Sequence, residues 1–115
     1  MKVAIKKESD ISAVNLAIDT INLGKQALIF VNTKKSAEKT AEEIAKKIKN
    51  VELSGLSGEV LGVVSKPTRQ CERVAKCVKK GIAFHHSGLV SKQREIIESN
   101  FKKGTIKIIC CTPTL

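Results

Sequence analysis

The sequence predicts an α/β domain built on a parallel sheet. Three short apolar runs of strand length, at 27–31, 82–85 and 106–111, alternate with segments of helical period, and each run gives way to a polar turn. The runs are apolar at successive rather than alternate positions, which suits strands covered on both faces. At 115 residues the chain is one domain, long enough to bury a core.

The first helix is expected from about Ser12 to Asn22, with Ile11, Val14, Leu16, Ala17 and Ile21 apolar and Gly24 placed as its C-cap. Ala27–Val31 follows as a buried strand, and Asn32-Thr33 offers the N-cap of the next helix. That helix, roughly Ser36 to Lys49, carries Ala37, Ala41, Ile44, Ala45 and Ile48 on one stripe and lysines elsewhere. From 51 to 66 the pattern fails around Gly55, Gly58 and Gly62, so the segment reads as a loop or an insertion with some local helix. Pro67-Thr68 opens a helix with the stripe Cys71, Val74, Ala75 and Val78, closed by Gly81. The strand Ile82–His85, the helix Ser91–Lys103 and the strand Ile106–Cys111 complete the alternation, and Phe30, Phe84 and Phe101 all read as core.

Lys and Arg outnumber Asp and Glu by 21 to 11, a formal net charge of +10. That balance points to polyanion partners, nucleic acid before anionic membrane, although lysines on solvated helix faces also account for it. No apolar run approaches the roughly 20 residues of a membrane span, and Met1–Ile5 is too short for a signal h-region. A cytoplasmic location is expected. The four cysteines form no Cys-x-x-Cys pair and read as buried free thiols rather than as a zinc or dithiol site.

Ligands of an open parallel sheet bind just beyond the carboxyl ends of its strands. Here that edge is expected to collect Thr33, the turn His85-His86-Ser87-Gly88, and Thr112 with Thr114. The two histidines are adjacent, so they should diverge to opposite faces and not chelate one metal, and packing in the sheet or turn is their other reading. Gly88 lets a backbone come close to a ligand, and an imidazole can bond a phosphate. Arg94 falls at the margin of its helix's apolar stripe, either aimed at a ligand or snorkelling to water. Hydroxyls and amides at Thr33 and Thr112 suit phosphate oxygens, with capping as the alternative for Thr33. There is no Gly-x-x-x-x-Gly-Lys-Ser/Thr loop and no acidic pair at a strand end, so no catalytic residue or metal ligand is assigned. With three Phe and neither Tyr nor Trp, base stacking is not expected, and any grip on nucleic acid should fall on its backbone.

Together these pieces resemble a known pattern. Leu28-Ile29-Phe30-Val31-Asn32-Thr33-Lys34-Lys35-Ser36-Ala37-Glu38 is similar to motif IV of superfamily 2 helicases. Gly81-Ile82-Ala83-Phe84-His85-His86-Ser87-Gly88-Leu89, with Gln93-Arg94-Glu95 and Phe101-Lys102-Lys103-Gly104, is similar to motif IVa, and Ile108–Leu115 to the opening of motif V. The likeness covers about 26–115 and points to the superkiller-type DExH helicases, and among them to the archaeal fork-remodelling DNA helicases. It implies that 1–115 is part of a second RecA-like domain, an open parallel sheet flanked by helices and truncated on its C-terminal side. It further implies an ATP-dependent 3′-to-5′ helicase acting in DNA repair, in which this domain forms one side of an interdomain ATP cleft. Single-stranded or forked DNA and the first RecA-like domain of the same chain would be the partners, with no membrane. ATP and Mg2+ would serve the parent protein, with neither expected on this piece alone, which should be inactive. Carried over, Thr33 with Lys34, the turn His86-Ser87-Gly88, Arg94, and Thr112 with Thr114 would face the strand. Cys111 stands where the family usually has Ala, and Lys34-Lys35 replace arginines, keeping charge but losing bidentate geometry. An RNA helicase, or a free-standing α/β binding or adaptor module without a motor, is the alternative.

Overall fold

The computed structural model describes residues 2–6, 10–49 and 51–112, with side chains from residue 13 onward. Along the chain run β1 (Lys2–Lys6), α1 (Asp10–Asn22), β2 (Gln26–Phe30), α2 (Lys34–Lys46), α3 (Ser54–Gly62), α4 (Arg69–Val78), β3 (Ile82–His85), α5 (Ser91–Lys102) and β4 (Ile108–Cys111). The strands form one parallel sheet in the order β1-β2-β4-β3. This is the expected α/β architecture, an open parallel sheet with helices around it.

Two elements go beyond the sequence reading. β1 pairs with β2 from Lys2 opposite Gln26 to Lys6 opposite Phe30 and adds an edge strand that no pattern announced. Within 51–66, Ser54–Gly62 is helical despite its glycines. Tertiary contacts hold it there: Val60 is fully buried, and the Ser57 hydroxyl donates to the Ala75 carbonyl of α4 at 2.8 Å.

Register fixes which side chains share a face. Phe30, Cys111 and His85 lie in one row across the sheet, and Ala27, Ile108 and Ile82 in another, one residue step out of phase. The face of Ala27, Ile29, Ile108, Cys110, Ile82 and Phe84 is buried throughout. Gln26, on the other face, donates its amide to the carbonyls of Phe101 and Ile106 beside the end of α5. On that same face Leu28 is half-buried and Phe30 is 37 % exposed, so Phe30 is not the core residue that its apolar run predicted. The physical reason is coverage: at the carboxyl end of that face α5 meets β3, where His85 contacts Glu98, and Phe30 on β2 is left open.

Helix boundaries follow local chemistry. The Thr33 hydroxyl accepts from the Ser36 amide at 3.0 Å and Thr68 accepts from Cys71 at 3.3 Å, both as N-caps. Gly24 (φ 73°) and Gly81 (φ 80°) take the left-handed conformation that ends α1 and α4. All four cysteines are free and buried. Among the described residues no helix is long and apolar enough to cross a membrane.

Candidate nucleic-acid interface

Because β2, β4 and β3 run parallel and in register, their carboxyl ends form one edge. Phe30, Cys111 and His85 end the strands side by side, and the chain then passes into Val31-Asn32-Thr33, Thr112 and His86-Ser87-Gly88. The expected residues Thr33, Lys34, His86, Ser87, Gly88 and Thr112 are therefore gathered along this edge, with Arg94 in the first turn of α5. Thr114 lies outside the described residues.

The two histidines diverge as their adjacency requires. His85 Nε2 meets Glu98 of α5 at 2.7 Å, whereas His86 turns to α2 and meets Glu38 at 2.9 Å. His86 is 2 % exposed and stacks on Phe84, with ring centroids 5.5 Å apart. Its Nδ1 accepts the Gly88 amide at 3.0 Å, and its carbonyl accepts the Leu89 amide at 3.1 Å. Both ring nitrogens are thus engaged within the protein. The imidazole shapes the turn, and the exposed Ser87 and Gly88 form its outer surface. Gly88 is required for close approach: a Cβ there would lie 2.8 Å from His86 Cε1 and 3.0 Å from Nδ1.

Behind His86 stands a buried polar cluster. Glu38 is 6 % exposed and accepts from His86, from Gln70 at 2.6 Å and from Arg73 Nη1 at 2.8 Å. Arg73 also forks onto Glu42, Nε at 2.9 Å and Nη2 at 2.6 Å. Burial alone would push the Glu38 carboxyl up, but the hydrogen bonds from Gln70 and His86 and the charge of Arg73 hold it below the usual range. Hydrogen bonding by Arg73 does the same for Glu42 against a smaller effect of burial.

The rim carries positive charge. Lys34 and Lys35 open α2 and Lys92 and Arg94 open α5, with no acidic residue in either first turn. Both helix amino ends already carry the positive end of the helix dipole, so cations there repel it unless an anion is near. Arg94 is half-buried; its Nη2 donates to the Ser91 hydroxyl at 3.3 Å, and its buried Nε has no partner. The hydroxyl of Thr33 is already engaged in capping α2.

Sequence reasoning missed Glu38, Gln70, Arg73 and Gln93, which pack behind this edge. Gln93 is wholly buried and donates to the Val60 carbonyl at 3.1 Å, tying α5 to α3. A signal was available for it, since Gln93, Ile97 and Phe101 recur every fourth residue and all three are buried. For Glu38 the signal was its position between Ala37 and Ala41 on the buried stripe. Gln70 and Arg73 had none.

No protein-family model matches the chain. The ATP-dependent DNA helicase Hel308 of Methanococcus vannielii is 38 % identical over 117 residues, 97 % of this chain. Hel308 of Methanocaldococcus jannaschii is 38 % identical over 96 % of the chain, and that of Pyrococcus abyssi 45 % over 87 %. The chain is similar to one segment of the Hel308 helicases. It spans 16 %, 10 % and 14 % of the length of these three relatives. The alignment with Hel308 takes in β2, the His86 turn and α5, so the edge described above belongs to the segment shared with Hel308.

Proposed function

We propose that this chain is the strand-gripping part of the second RecA-like domain of an ATP-dependent DNA helicase. The observation that carries it is the pair of helices, α2 and α5, opening onto one sheet edge with Lys34, Lys35, Lys92 and Arg94 and no acid in their first turns. Sugar-phosphate backbone is the ligand that such an edge suits, through charge, helix amino ends and small turn residues. The relatives, ATP-dependent DNA helicases by name, add the motor and the DNA substrate. In this reading Lys34 and Arg94 neutralise phosphates, while Thr33, Ser87, Gly88, Thr112 and Thr114 offer hydroxyls and amides. His86 acts through the turn it orders.

In this reading the nucleotide belongs to the parent protein, with this chain forming one side of the interdomain cleft. The chain has no P-loop, and the described residues include no group of three or more His, Cys, Asp or Glu able to hold a metal. ATP and Mg2+ are assigned to other parts of such a helicase, the first RecA-like domain above all, which would face this one across the cleft. Unwinding in the 3′-to-5′ direction, a role in DNA repair and a cytoplasmic location complete the proposal.

Titration of a labelled single strand at two ionic strengths tests it. Binding by the chain should be weak, indifferent to base sequence and steeply salt-dependent. Arg94→Ala should weaken it by about 1.5–3 kcal/mol and flatten the salt slope by about 1, with little change in melting temperature. An early-melting variant that binds normally per folded molecule would make Arg94 structural. Salt-insensitive tight binding would defeat the backbone assignment.

A further inference from the structure

We propose that Glu38 and Arg73, neither of which reaches the sheet edge itself, are positioning residues that set the His86-Ser87-Gly88 turn by fixing the tautomer of His86. The inference rests on the reading of that turn as a strand contact and deepens it.

The geometry leaves one assignment of protons. The Gly88 amide can only donate, so the Nδ1 that it meets at 3.0 Å must be bare. The proton of a neutral imidazole is then on Nε2, pointing at Glu38 Oε2 2.9 Å away, and an ionised carboxylate can only accept. Gln70 Nε2 lies 3.3 Å from His86 Nε2, but with two donors facing each other the two groups share Oε2 rather than bond. Arg73 holds the other oxygen, Oε1, at 2.8 Å, and its remaining edge is anchored by both oxygens of Glu42. Both oxygens of Glu38 therefore face donors, and the carboxylate must stay ionised and oriented. From Arg73 on α4 through Glu38 on α2 to His86 and the Gly88 amide, each donor dictates the next acceptor. The Gly88 amide is drawn inward, and Ser87 is left at the exposed apex.

Glu38→Gln tests this with almost no change of shape. Whichever way the new amide turns, its NH2 meets a donor, either Arg73 or the Nε2–H of His86. The Nε2 clash is relieved by moving the imidazole proton to Nδ1, which expels the Gly88 amide. Nitrogen-15 NMR of the imidazole in the 115-residue chain should show Nε2 protonated and Nδ1 bare in the wild type. In Glu38→Gln the Gly88 amide should exchange faster with solvent. Affinity for oligodeoxythymidylate, measured well below the melting point, should fall about five- to tenfold. Arg73→Lys, which keeps the charge but loses the fork, should show a smaller change of the same kind. A wild-type His86 protonated on Nδ1 would overturn the proposal without any variant. So would a Glu38→Gln chain whose Gly88 amide and strand affinity match the wild type while Arg94→Ala still weakens binding. If Arg94→Ala too leaves binding unchanged, the strand-contact reading falls and takes this inference with it.

Discussion

Replacing Gly88 by Ala adds one methyl group at a place with no room for it. The added Cβ would stand 2.8 Å from His86 Cε1, 3.0 Å from Nδ1 and 3.3 Å from Gln70 Nε2. The ring cannot yield easily, because Glu38 holds its far nitrogen and Phe84 lies stacked on it at an interplanar angle of 14°. Relief has to come from the turn, at the expense of the Gly88–His86 hydrogen bond. Overpacking of this kind costs about 1–3 kcal/mol, and the lost bond adds about 0.5–1.5. The variant should lose about 2–4 kcal/mol in urea denaturation of the chain, with the m-value unchanged. Gly24→Ala is the natural control: its φ is 73° but a Cβ would meet nothing within 4 Å. Backbone strain alone, about 1–2 kcal/mol, is expected there. A Gly88→Ala chain as stable as the wild type, or less affected than Gly24→Ala, would refute the claim that His86 is pinned against this glycine.

Arg73→Ala should lower stability near neutral pH and blunt the acid limb of the stability curve, read from melting temperatures between about pH 3 and 7. The sign follows from Glu38 and Glu42, both held below the usual carboxylate range in the folded chain. Such groups stabilise fully above their unfolded value of about 4.3 and lose that contribution as pH falls through the lower folded one. An acid limb as steep in the variant as in the wild type would contradict this. Cys77, 1 % exposed and with its thiol pushed up to about 12 by burial, should resist alkylation in the native chain near neutral pH and react on unfolding, as mass spectrometry would show. Gly58→Ala should stabilise the chain by about 0.5–1 kcal/mol, since it lies inside α3 and a Cβ there meets nothing within 4 Å. Destabilisation would mean that the helix does not persist in solution.

The parallel sheet and the presence of α2, α4 and α5 were legible because their apolar residues follow one period over ten or more positions, although α2 runs Lys34–Lys46 rather than Ser36 to Lys49 and β4 begins at Ile108 rather than Ile106. The caps at Thr33 and Thr68 were legible for a local reason, a hydroxyl just ahead of a helical stripe. β1 was not: Lys-Val-Ala-Ile-Lys is five residues long, too short for a pattern to stand out, and its partner strand is remote in sequence. α3 was legible only as some local helix in a loop or insertion, because its glycines disfavour a helix, and the compensation comes from Val60 and Ser57 packing on other elements. At the candidate edge, Thr33, Lys34, His86, Ser87, Gly88, Arg94 and Thr112 could be named from strand ends and from the resemblance to superfamily 2 helicases. The contacts that order them could not, since Glu38, Gln70, Arg73 and His86 come from three separate elements and meet only when the sheet has brought them together. Phe30 shows the converse limit, because an apolar run tells that a strand is buried without telling where its cover stops.

The strand order carries a consequence for assembly. β4 is the last strand along the described chain, yet it lies between β2 and β3, hydrogen-bonded to both. Until it arrives, β1 with β2 on one side and β3 on the other have no shared ladder, and the row of turns they support has a gap at its middle. Pairings so distant in sequence are slow to form. Before Ile108–Cys111 inserts, the sheet consists of the β1–β2 pair alone with β3 as an unpaired strand, and that last strand joins them into a single body.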